Sequence, residues 1–380
     1  MKLCDVVKNS IWYDPRVKKQ IYAYVANGVE LECVGVTDSR YIEEEVNKLS
    51  CKVELVAVSS DMYFGKRSIL KKIKRELLTN KGIYKAILKT DADVIHANDL
   101  NALIPAYKAA KKMKCKLVYD SHEIFLENPW IAKNKIIKWF WSFYEKRIIS
   151  KVDLVVCVSN AAADYFVEKY NIPKPLVVTN CISVEKHISG KCEKHEPKQI
   201  LNHGQFYIGR GYDIMIETAP LLRDMSDIQL VLRGFGPMEE QLKKRAEEIH
   251  ADNVYFAPPV KVEELIPEAS HAWVGMAITE AISLNFKLSV SNKIFEYAAA
   301  GLPVIMSDIP EHRYLNDRYN FGIILEKNTP ECILAAIKKL YEDEKLYNVY
   351  SENSRKLSRD INWENEFEVL IALERNWSEL

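Results

Sequence analysis

The sequence lacks the features that would place a protein within a membrane or in an oxidising compartment. Its 380 residues contain no run approaching about 18 consecutive apolar residues, so no membrane-spanning helix is predicted. The amino terminus has no signal-peptide pattern, and we therefore expect a cytoplasmic protein. The eight cysteines form no Cys-x-x-Cys pair, and several lie in apolar, strand-like runs. This spacing favours reduced thiols in the core over disulfides or metal ligands.

Net charge is also lacking, because 53 basic residues balance 53 acidic residues. The balance hides an uneven distribution. Residues 1–195 hold 33 lysines and arginines against 23 acids, and residues 196–380 hold the remaining 20 against 30. A basic first half predicts an anionic surface or substrate for that half. The alternative is an unequal solvated surface without a function.

The chain does contain a regular alternation of short apolar runs and helical patterns. This alternation predicts an α/β protein with parallel sheets, in which ligands bind at the carboxyl ends of the strands. The length and the 48% hydrophobic content favour two domains. A polar segment without periodicity, residues 183–197, is predicted to separate a domain of residues 1–195 from one of residues 196–362.

One stretch, Ser289–Ile305, reads as a loop, a short helix, a tight turn and a buried strand. Ser291 or Asn292 can cap the helix, and Gly301 is typical of its end. Backbone N–H groups at a helix start, beside a lysine, suit an anion such as a diphosphate. One turn further on, Glu296 can accept hydrogen bonds from a ribose diol. The alternative is a surface helix with an ordinary solvated glutamate.

This stretch resembles the carboxyl-terminal domain of the GT-B-fold glycosyltransferases, and most closely the retaining group called family 4. The residues that match the family pattern are Asn292, Lys293, Glu296, Gly301, Pro303 and Val304. The resemblance implies that Ser291, Asn292, Lys293 and Glu296 bind the donor, with the glutamate on the ribose and the helix start at the diphosphate. Many members carry a second glutamate eight positions before the first, where this chain has Leu288.

Two glycine-containing loops of the second domain extend the resemblance. Gly204 opens a loop that includes Arg210 and resembles the one that contacts the donor diphosphate in the family, although Gln205 replaces a common arginine. Gly234 and Gly236 match a G-x-G motif that lies close to the nucleotide. They do not form a dinucleotide fingerprint, because the third glycine position is not a glycine. The resemblance therefore implies donor contacts for Gly204, Arg210, Gly234 and Gly236.

Three residues of the first domain are expected on the acceptor side. Arg16, Asp99 and His122 each lie in a phrase that resembles the family's acceptor domain. In relatives, the histidine that matches His122 lies beside the donor sugar, and its position just past a strand favours a function here. For Arg16, a surface arginine in the first turn of a helix remains the alternative.

The pair Asp91 and Asp93 forms a D-x-D sequence, which binds a metal–nucleotide complex in another glycosyltransferase fold. There the motif follows a strand, whereas here it precedes the predicted strand that begins at residue 94. We interpret both aspartates as solvated and expect no metal.

Residues 64–89 hold nine basic residues against one acid, Glu76. Their apolar stripe comprises Ile69, Leu70, Ile73, Leu77 and Leu78. The pattern is typical of a core helix with a charged back or of a helix at an anionic membrane surface. Nucleic acid is disfavoured, because no recognition motif or aromatic platform accompanies the basic residues.

A second segment, residues 130–149, is rich in aromatic and basic side chains. Ile136, Phe140, Phe143 and Arg147 fall on one helical face. Packing against the sheet is one interpretation. Tryptophan and lysine together also suit a lipid interface, which is the other.

The resemblance covers nearly the whole chain and implies two Rossmann-like domains facing a central cleft, with a helix over residues 363–380 returning to the first domain. It implies that a sugar moves from a nucleotide-sugar donor to a saccharide or lipid-linked acceptor with retention of configuration. The resemblance further implies a role in cell-surface polysaccharide or glycoconjugate synthesis. The enzyme would then be peripheral to the inner face of the plasma membrane. The implied catalytic residues are His122, Arg210 and Lys293, without a cofactor. A nucleotide-sugar epimerase and a non-catalytic binding protein are the alternatives, and Leu288 and Gln205 favour the latter.

Overall fold

A computed structural model describes residues 1–37, 43–57, 69–183, 185 and 192–378. The chain divides into two compact units. The amino-terminal unit comprises Met1–Thr179 with Glu366–Leu380, and the carboxyl-terminal unit comprises Asn180–Asn365. The sequence had predicted domain boundaries at residues 195 and 362. Residues 184 and 186–191 of the predicted separating segment lie outside the described residues.

The amino-terminal unit contains one parallel sheet of seven strands in the order β3-β2-β1-β4-β5-β6-β7. The strands are β1 (Lys2–Val7), β2 (Glu30–Thr37), β3 (Lys52–Ala57), β4 (Val94–Asn98), β5 (Lys116–Ser121), β6 (Leu154–Cys157) and β7 (Leu176–Val177). The helices are α1 (Pro15–Ala26), α2 (Glu43–Asn47), α3 (Ile69–Ile87), α4 (Asp99–Met113), α5 (Pro129–Ala132), α6 (Lys135–Ile148) and α7 (Asn160–Tyr170). Central strands such as β4 are buried along their whole length, because helices cover both faces of a parallel sheet.

The first helix shows how the sequence directs this arrangement. The carboxylate of Asp14 accepts hydrogen bonds from the backbone at the start of α1, and Pro15 occupies the first turn, where its missing N–H costs nothing. Val17, Ile21 and Tyr24 recur at helical spacing and are buried, as predicted. Burying this stripe fixes α1 against the sheet, with its amino terminus near the carboxyl end of β1.

Helix α4 packs against both α3 and α6, so these three helices form one layer. Within the basic segment 64–89, residues 64–68 and the side chains of residues 69–73 lie outside the described part of the structure. Leu77 and Leu78, which belong to the predicted apolar stripe, are exposed. The described part of that stripe is therefore directed to solvent and is not buried in the core.

Helix α6 contradicts the interpretation that its predicted apolar face packs against the sheet. Ile136, Phe140 and Phe143 on that face are exposed. The buried residues of α6 are Trp141, Glu145 and Ile148. The periodicity was ambiguous because α6 carries apolar side chains on both faces.

The carboxyl-terminal unit contains a parallel sheet of six strands in the order β10-β9-β8-β11-β12-β13. The strands are β8 (Lys198–Gln205), β9 (Ile228–Phe235), β10 (Val254–Ala257), β11 (Val274–Ala277), β12 (Val304–Ser307) and β13 (Gly322–Leu325). The helices are α8 (Tyr212–Thr218), α9 (Glu239–Glu248), α10 (Leu265–Ser270), α11 (Leu284–Leu288), α12 (Asn292–Ala299), α13 (Pro310–Tyr319), α14 (Pro330–Glu342) and α15 (Glu344–Asp360). The last helix, α16 (Trp363–Ser378), belongs mostly to the amino-terminal unit. Two sheets of this kind confirm the predicted α/β class with two Rossmann-like units.

Helix α16 begins in the carboxyl-terminal unit and returns to the amino-terminal one, as predicted. Trp363 N donates to the carbonyl of Ile182, whereas Glu374 lies buried among residues of the amino-terminal unit. The Tyr24 hydroxyl donates to its carboxylate at 2.8 Å. No described helix is both long and apolar enough to cross a bilayer.

Candidate functional site

The helix start predicted from the sequence is present at α12. Ser291 occupies the N-cap position, although its side chain makes no capping hydrogen bond. Gly301 follows the helix with a φ of +69°, a conformation that a residue with a Cβ adopts only with strain. Ile294 and Tyr297 are fully buried. This anchoring places the first turn of α12 beside the carboxyl end of β8.

Lys293 lies buried in that first turn. Its Nζ donates to the side-chain oxygen of Asn202 at 2.5 Å and lies 4.9 Å from the centre of the Tyr212 ring. Burial and, to a smaller extent, the nearby Arg210 guanidinium lower the pKa of Lys293 to about 7, against an opposing effect of Glu296. A buried ammonium whose hydrogen-bond partner is a neutral amide gains stability when an anion arrives.

The hydroxyl of Tyr212 also lies near the Lys293 side chain. It is buried and has no hydrogen-bond partner among the described residues. A Cβ added to Gly204 would lie 3.5 Å from both this hydroxyl and Lys293 Cε. The glycine at the end of β8, the lysine and the tyrosine therefore converge. A buried hydroxyl without a partner costs stability, so this arrangement favours a ligand that accepts its hydrogen bond.

Glu296 is not the solvated glutamate of the alternative interpretation. Its Oε2 lies 2.7 Å from Nε2 of His203, a buried residue of β8. His203 is held in turn by Tyr297, whose hydroxyl accepts from His203 N and whose ring lies 4.6 Å away. About a fifth of the Glu296 side chain is exposed.

Arg210 lies in the loop between β8 and α8. Its guanidinium stacks 5.2 Å from the centre of the Phe286 ring, and its carbonyl accepts from the Asn202 amide. Burial lowers the pKa of Arg210 from its ordinary value. Asn202 thus contacts both Lys293 and Arg210. The sequence did not single out Asn202 or His203, because each acts through a partner about 90 residues away along the chain.

The two glycines of the G-x-G motif permit a close approach of two backbones. A Cβ at Gly234 would lie 1.9 Å from the carbonyl oxygen of Gly204, and one at Gly236 would lie 2.7 Å from the backbone of Phe206. Both glycines have positive φ values, +148° and +158°. Both positions therefore require glycine for the two backbones to pack. This packing brings the end of β9 next to the loop that carries Arg210.

Arg16, in the amino-terminal unit, is not the surface arginine of the alternative interpretation. It is buried, and its guanidinium donates to both carboxylate oxygens of Asp120, at 3.1 and 3.0 Å, and to the Val178 carbonyl. Burial raises the pKa of Asp120, but Arg16 and His122 outweigh it and hold that pKa well below its usual range. Arg16 therefore fixes a charged aspartate at the end of β5.

His122 follows this aspartate directly. Its Nε2 lies 2.9 Å from Asn98 Oδ1 and 3.5 Å from Asp120, and its backbone N–H donates to Asp99. Burial lowers the pKa of His122, but the carboxylates of Asp99 and Asp120 outweigh it, and the pKa is raised. The structure thus brings together Arg16, Asp99 and His122. A protonated imidazole is a hydrogen-bond donor and a positive charge, so His122 is unsuited to act as a base in this form.

A second buried histidine extends this cluster. His96 lies between Asp120, at 3.4 Å, and Glu374 of α16, at 3.3 Å. Burial lowers its pKa, but hydrogen bonds to both carboxylates outweigh this and raise it to about 10. The sequence missed this pairing, since nothing in the α16 pattern marks Glu374 as buried.

Asp91 and Asp93 precede β4, as predicted. Asp93 accepts a hydrogen bond from the backbone N–H of Lys2, and Asp91 forms an exposed ion pair with the Lys2 side chain. Among the described residues, no group of three or more histidine, cysteine, aspartate or glutamate side chains is arranged to hold a metal ion. The eight cysteines are reduced thiols.

Two family models match the chain. The model described as Glycosyltransferase Family 4 matches residues 18–186, and that of Glycosyl transferases group 1 matches residues 184–357. An uncharacterised glycosyltransferase of Methanocaldococcus jannaschii is 26% identical over 300 residues, 73% of each chain. The O-antigen chain mannosyltransferase C of Escherichia coli is 21% identical over 248 residues, 62% of this chain and 64% of that protein.

Two solved structures share the fold along the whole chain. Sucrose-phosphate synthase from Thermosynechococcus elongatus has a TM-score of 0.77 at 14% identity, covering 99% of this chain and 98% of that one. Anabaena HepE, in complex with UDP and glucose, has a TM-score of 0.71 at 15% identity and covers both chains completely. Because the two family matches together span residues 18–357, the chain belongs to the GT-B-fold glycosyltransferases, which transfer sugars from nucleotide-sugar donors.

Proposed function

We propose that the carboxyl-terminal unit binds a nucleotide diphosphate-sugar at the start of α12 and that the enzyme transfers the sugar with retention of configuration. The observation that carries the proposal is the buried Lys293, whose ammonium is paired only with the neutral Asn202 among its described hydrogen bonds, beside the unpartnered hydroxyl of Tyr212. A diphosphate supplies the missing negative charge and the missing acceptor. Anabaena HepE, which shares the fold, was solved with UDP.

In this proposal the diphosphate and the ribose of the donor contact different residues of the carboxyl-terminal unit. Ser291, Asn292 and Lys293 contact the diphosphate, and Glu296, whose partly exposed side chain is held by His203, accepts hydrogen bonds from the ribose. Gly204, Gly234 and Gly236 contact the donor through their backbones, and the packing of the latter two brings the end of β9 beside the loop that carries Arg210.

Arg210 and Lys293 stabilise the negative charge that grows on the leaving diphosphate. These cations and the helix N–H groups supply the electrostatic stabilisation that a metal ion would otherwise provide, and we propose that activity is metal-independent. His122 is the proposed catalytic residue of the acceptor side, as a hydrogen-bond donor to the transferring sugar.

The acceptor is proposed to be a saccharide or a lipid-linked saccharide in cell-surface polysaccharide or glycoconjugate synthesis, met by the amino-terminal unit. The name of the Escherichia coli relative, an O-antigen chain mannosyltransferase, supports this class. Basic residues of segment 64–89 would attract an anionic membrane, placing the enzyme at the inner face of the plasma membrane.

The test combines binding with product analysis. The purified protein is screened for thermal stabilisation by nucleotide diphosphates, and the stabilising nucleotide is supplied as its sugar conjugates with saccharide acceptors. Release of the diphosphate with a new glycosidic bond of the donor's configuration supports the proposal. Stabilisation without turnover would support the non-catalytic alternative, for which Leu288 and Gln205 are the supporting observations.

A further inference from the structure

Helix α6 buries its one acidic side chain and exposes several apolar side chains, which is the opposite of the usual pattern for a surface helix. Its one carboxylate, Glu145, is only 2% exposed and accepts hydrogen bonds from the hydroxyls of Tyr119 and Tyr170. Three of its aromatic side chains, Trp139, Phe140 and Phe143, are exposed, whereas Trp141 is buried. The exposed apolar residues of α5 and α6, called here the aromatic face, are Trp130, Ile136, Trp139, Phe140 and Phe143.

The exposure of the aromatic face is large. Ile136 and Trp139 are 72% and 70% exposed, and the rings of Trp139 and Phe143 stack on one another with centroids 6.2 Å apart. Single exposed apolar residues are ordinary, but five on two consecutive short helices form a patch that usually marks an interaction surface.

The charges around the aromatic face have one sign. Lys135, Lys146 and Arg147 of α6 are exposed, and so is Lys133, which follows α5 directly. Between residues 128 and 152 the only acid is Glu145, which is buried. The two acids that flank this range, Glu127 and Asp153, form ion pairs with Lys138 and Lys116 at 2.8 and 2.9 Å. The surface therefore combines tryptophan, phenylalanine and lysine without an unpaired carboxylate on either helix.

We propose that the aromatic face docks onto an anionic bilayer, with Trp139 and Phe143 entering the headgroup region and the surrounding lysines contacting lipid phosphates. Aromatic rings favour this interfacial layer, and basic residues add attraction to anionic lipid. A protein partner would be expected to meet a mixture of charges, whereas this surface is uniformly basic around its apolar centre.

Helix α3, which packs against α4 as α6 does, also exposes apolar and basic side chains. Leu77 and Leu78 of α3 are exposed, together with Lys74 and Lys81, and α3 lies in the same helical layer as α6. The inference deepens the proposed function, since it names the surface through which the amino-terminal unit meets a lipid-linked acceptor. It assigns apolar insertion to α6, in addition to charge attraction by segment 64–89.

The test measures partition of the full-length protein into vesicles of phosphatidylcholine with and without phosphatidylglycerol. Lipids brominated near the headgroup report on depth through quenching of tryptophan fluorescence. We expect partition into the anionic vesicles with quenching. The double variant Trp139→Gln/Phe143→Gln should reduce partition by about tenfold or more, since two aromatic side chains no longer enter the interface.

A matched control replaces exposed apolar residues of the other unit, Val262→Gln/Val349→Gln, and should leave partition unchanged. Circular dichroism and thermal unfolding establish that both double variants fold. Equal partition of the Trp139/Phe143 variant and the wild type would overturn the proposal. So would a concentration-dependent dimer in sedimentation velocity that this variant abolishes without any vesicle binding, because a second copy would then cover the face.

The outcome is separable from that of the proposed function. Diphosphate release with a water-soluble acceptor requires no membrane and should be equal in the wild type and the Trp139/Phe143 variant. Vesicle binding by a protein that transfers no sugar would refute the transferase mechanism and leave the docking surface in place.

Discussion

Nε2 of His203 lies 2.7 Å from Oε2 of Glu296, joining the end of β8 to the second turn of α12. The Tyr297 ring packs against the imidazole, and its hydroxyl accepts a hydrogen bond from the backbone N–H of His203, so both hold the residue that pairs with the carboxylate. A ribose-binding glutamate that is held in advance loses little side-chain entropy when the donor binds. His203 is thus a positioning residue for the proposed donor site.

Replacing Glu296 with alanine should weaken binding of the nucleotide sugar by about 1–3 kcal/mol, the range for losing hydrogen bonds to a charged group. Calorimetric titration measures the change. Glu352→Ala, at an exposed glutamate on α15, serves as the control and should bind as the wild type does. Unchanged affinity in the Glu296 variant would remove this carboxylate from the donor site.

Arg210→Ala should lower kcat by about a hundredfold and affect donor affinity less, because diphosphate charge grows towards the transition state. Steady-state kinetics with saturating donor separates the two parameters. Arg313→Ala, which removes an exposed arginine paired with Asp308, is the matched control. A loss confined to KM would assign Arg210 to ground-state binding alone.

Donor affinity should fall as the pH rises above about 7, where Lys293 loses its proton in the free protein. A bound diphosphate favours the ammonium and raises its pKa, so binding takes up a proton and weakens by at most about tenfold per pH unit. Titrations in buffers of different ionisation enthalpy count the protons taken up. Lys293→Met should bind more weakly at pH 6 and lose this part of the pH dependence. A variant with the wild-type pH profile would show that another group is responsible.

Activity should survive treatment with EDTA, because cationic side chains and helix N–H groups are proposed to stabilise the diphosphate. Initial rates before and after chelation, with and without added magnesium or manganese, provide the measurement. Activity that EDTA abolishes and manganese restores would contradict metal independence and return Asp91 and Asp93 to consideration.

Glu374→Ala should destabilise the protein by about 3–5 kcal/mol, since it leaves the buried charge of His96 with one carboxylate partner fewer. Urea unfolding measures the difference. Glu368→Ala, at an exposed position on the same helix, should cost far less. Equal effects of the two substitutions would mean that His96 is not held by Glu374.

Much of the fold followed from local sequence patterns. The buried stripe of α1 and the sequence of loop, helix, turn and strand around Gly301 are readable because each depends on residues within a few positions of one another. The sequence did not show which side of α6 is buried. Trp141 on one side and Trp139 on the other are equally apolar, and only packing against the neighbouring elements decides which is buried.

The sequence by itself determined the alternation of strands and helices, the helix start at Ser291 and the family motifs that lie on it. The tertiary structure decided which residues those motifs meet. Asn202 and Lys293 are 91 positions apart, His203 and Glu296 are 93 apart, and Tyr24 and Glu374 are 350 apart. Periodicity and capping report on neighbours along the chain, whereas these contacts arise only where folding brings distant segments together, so their charges and orientations are properties of the folded units.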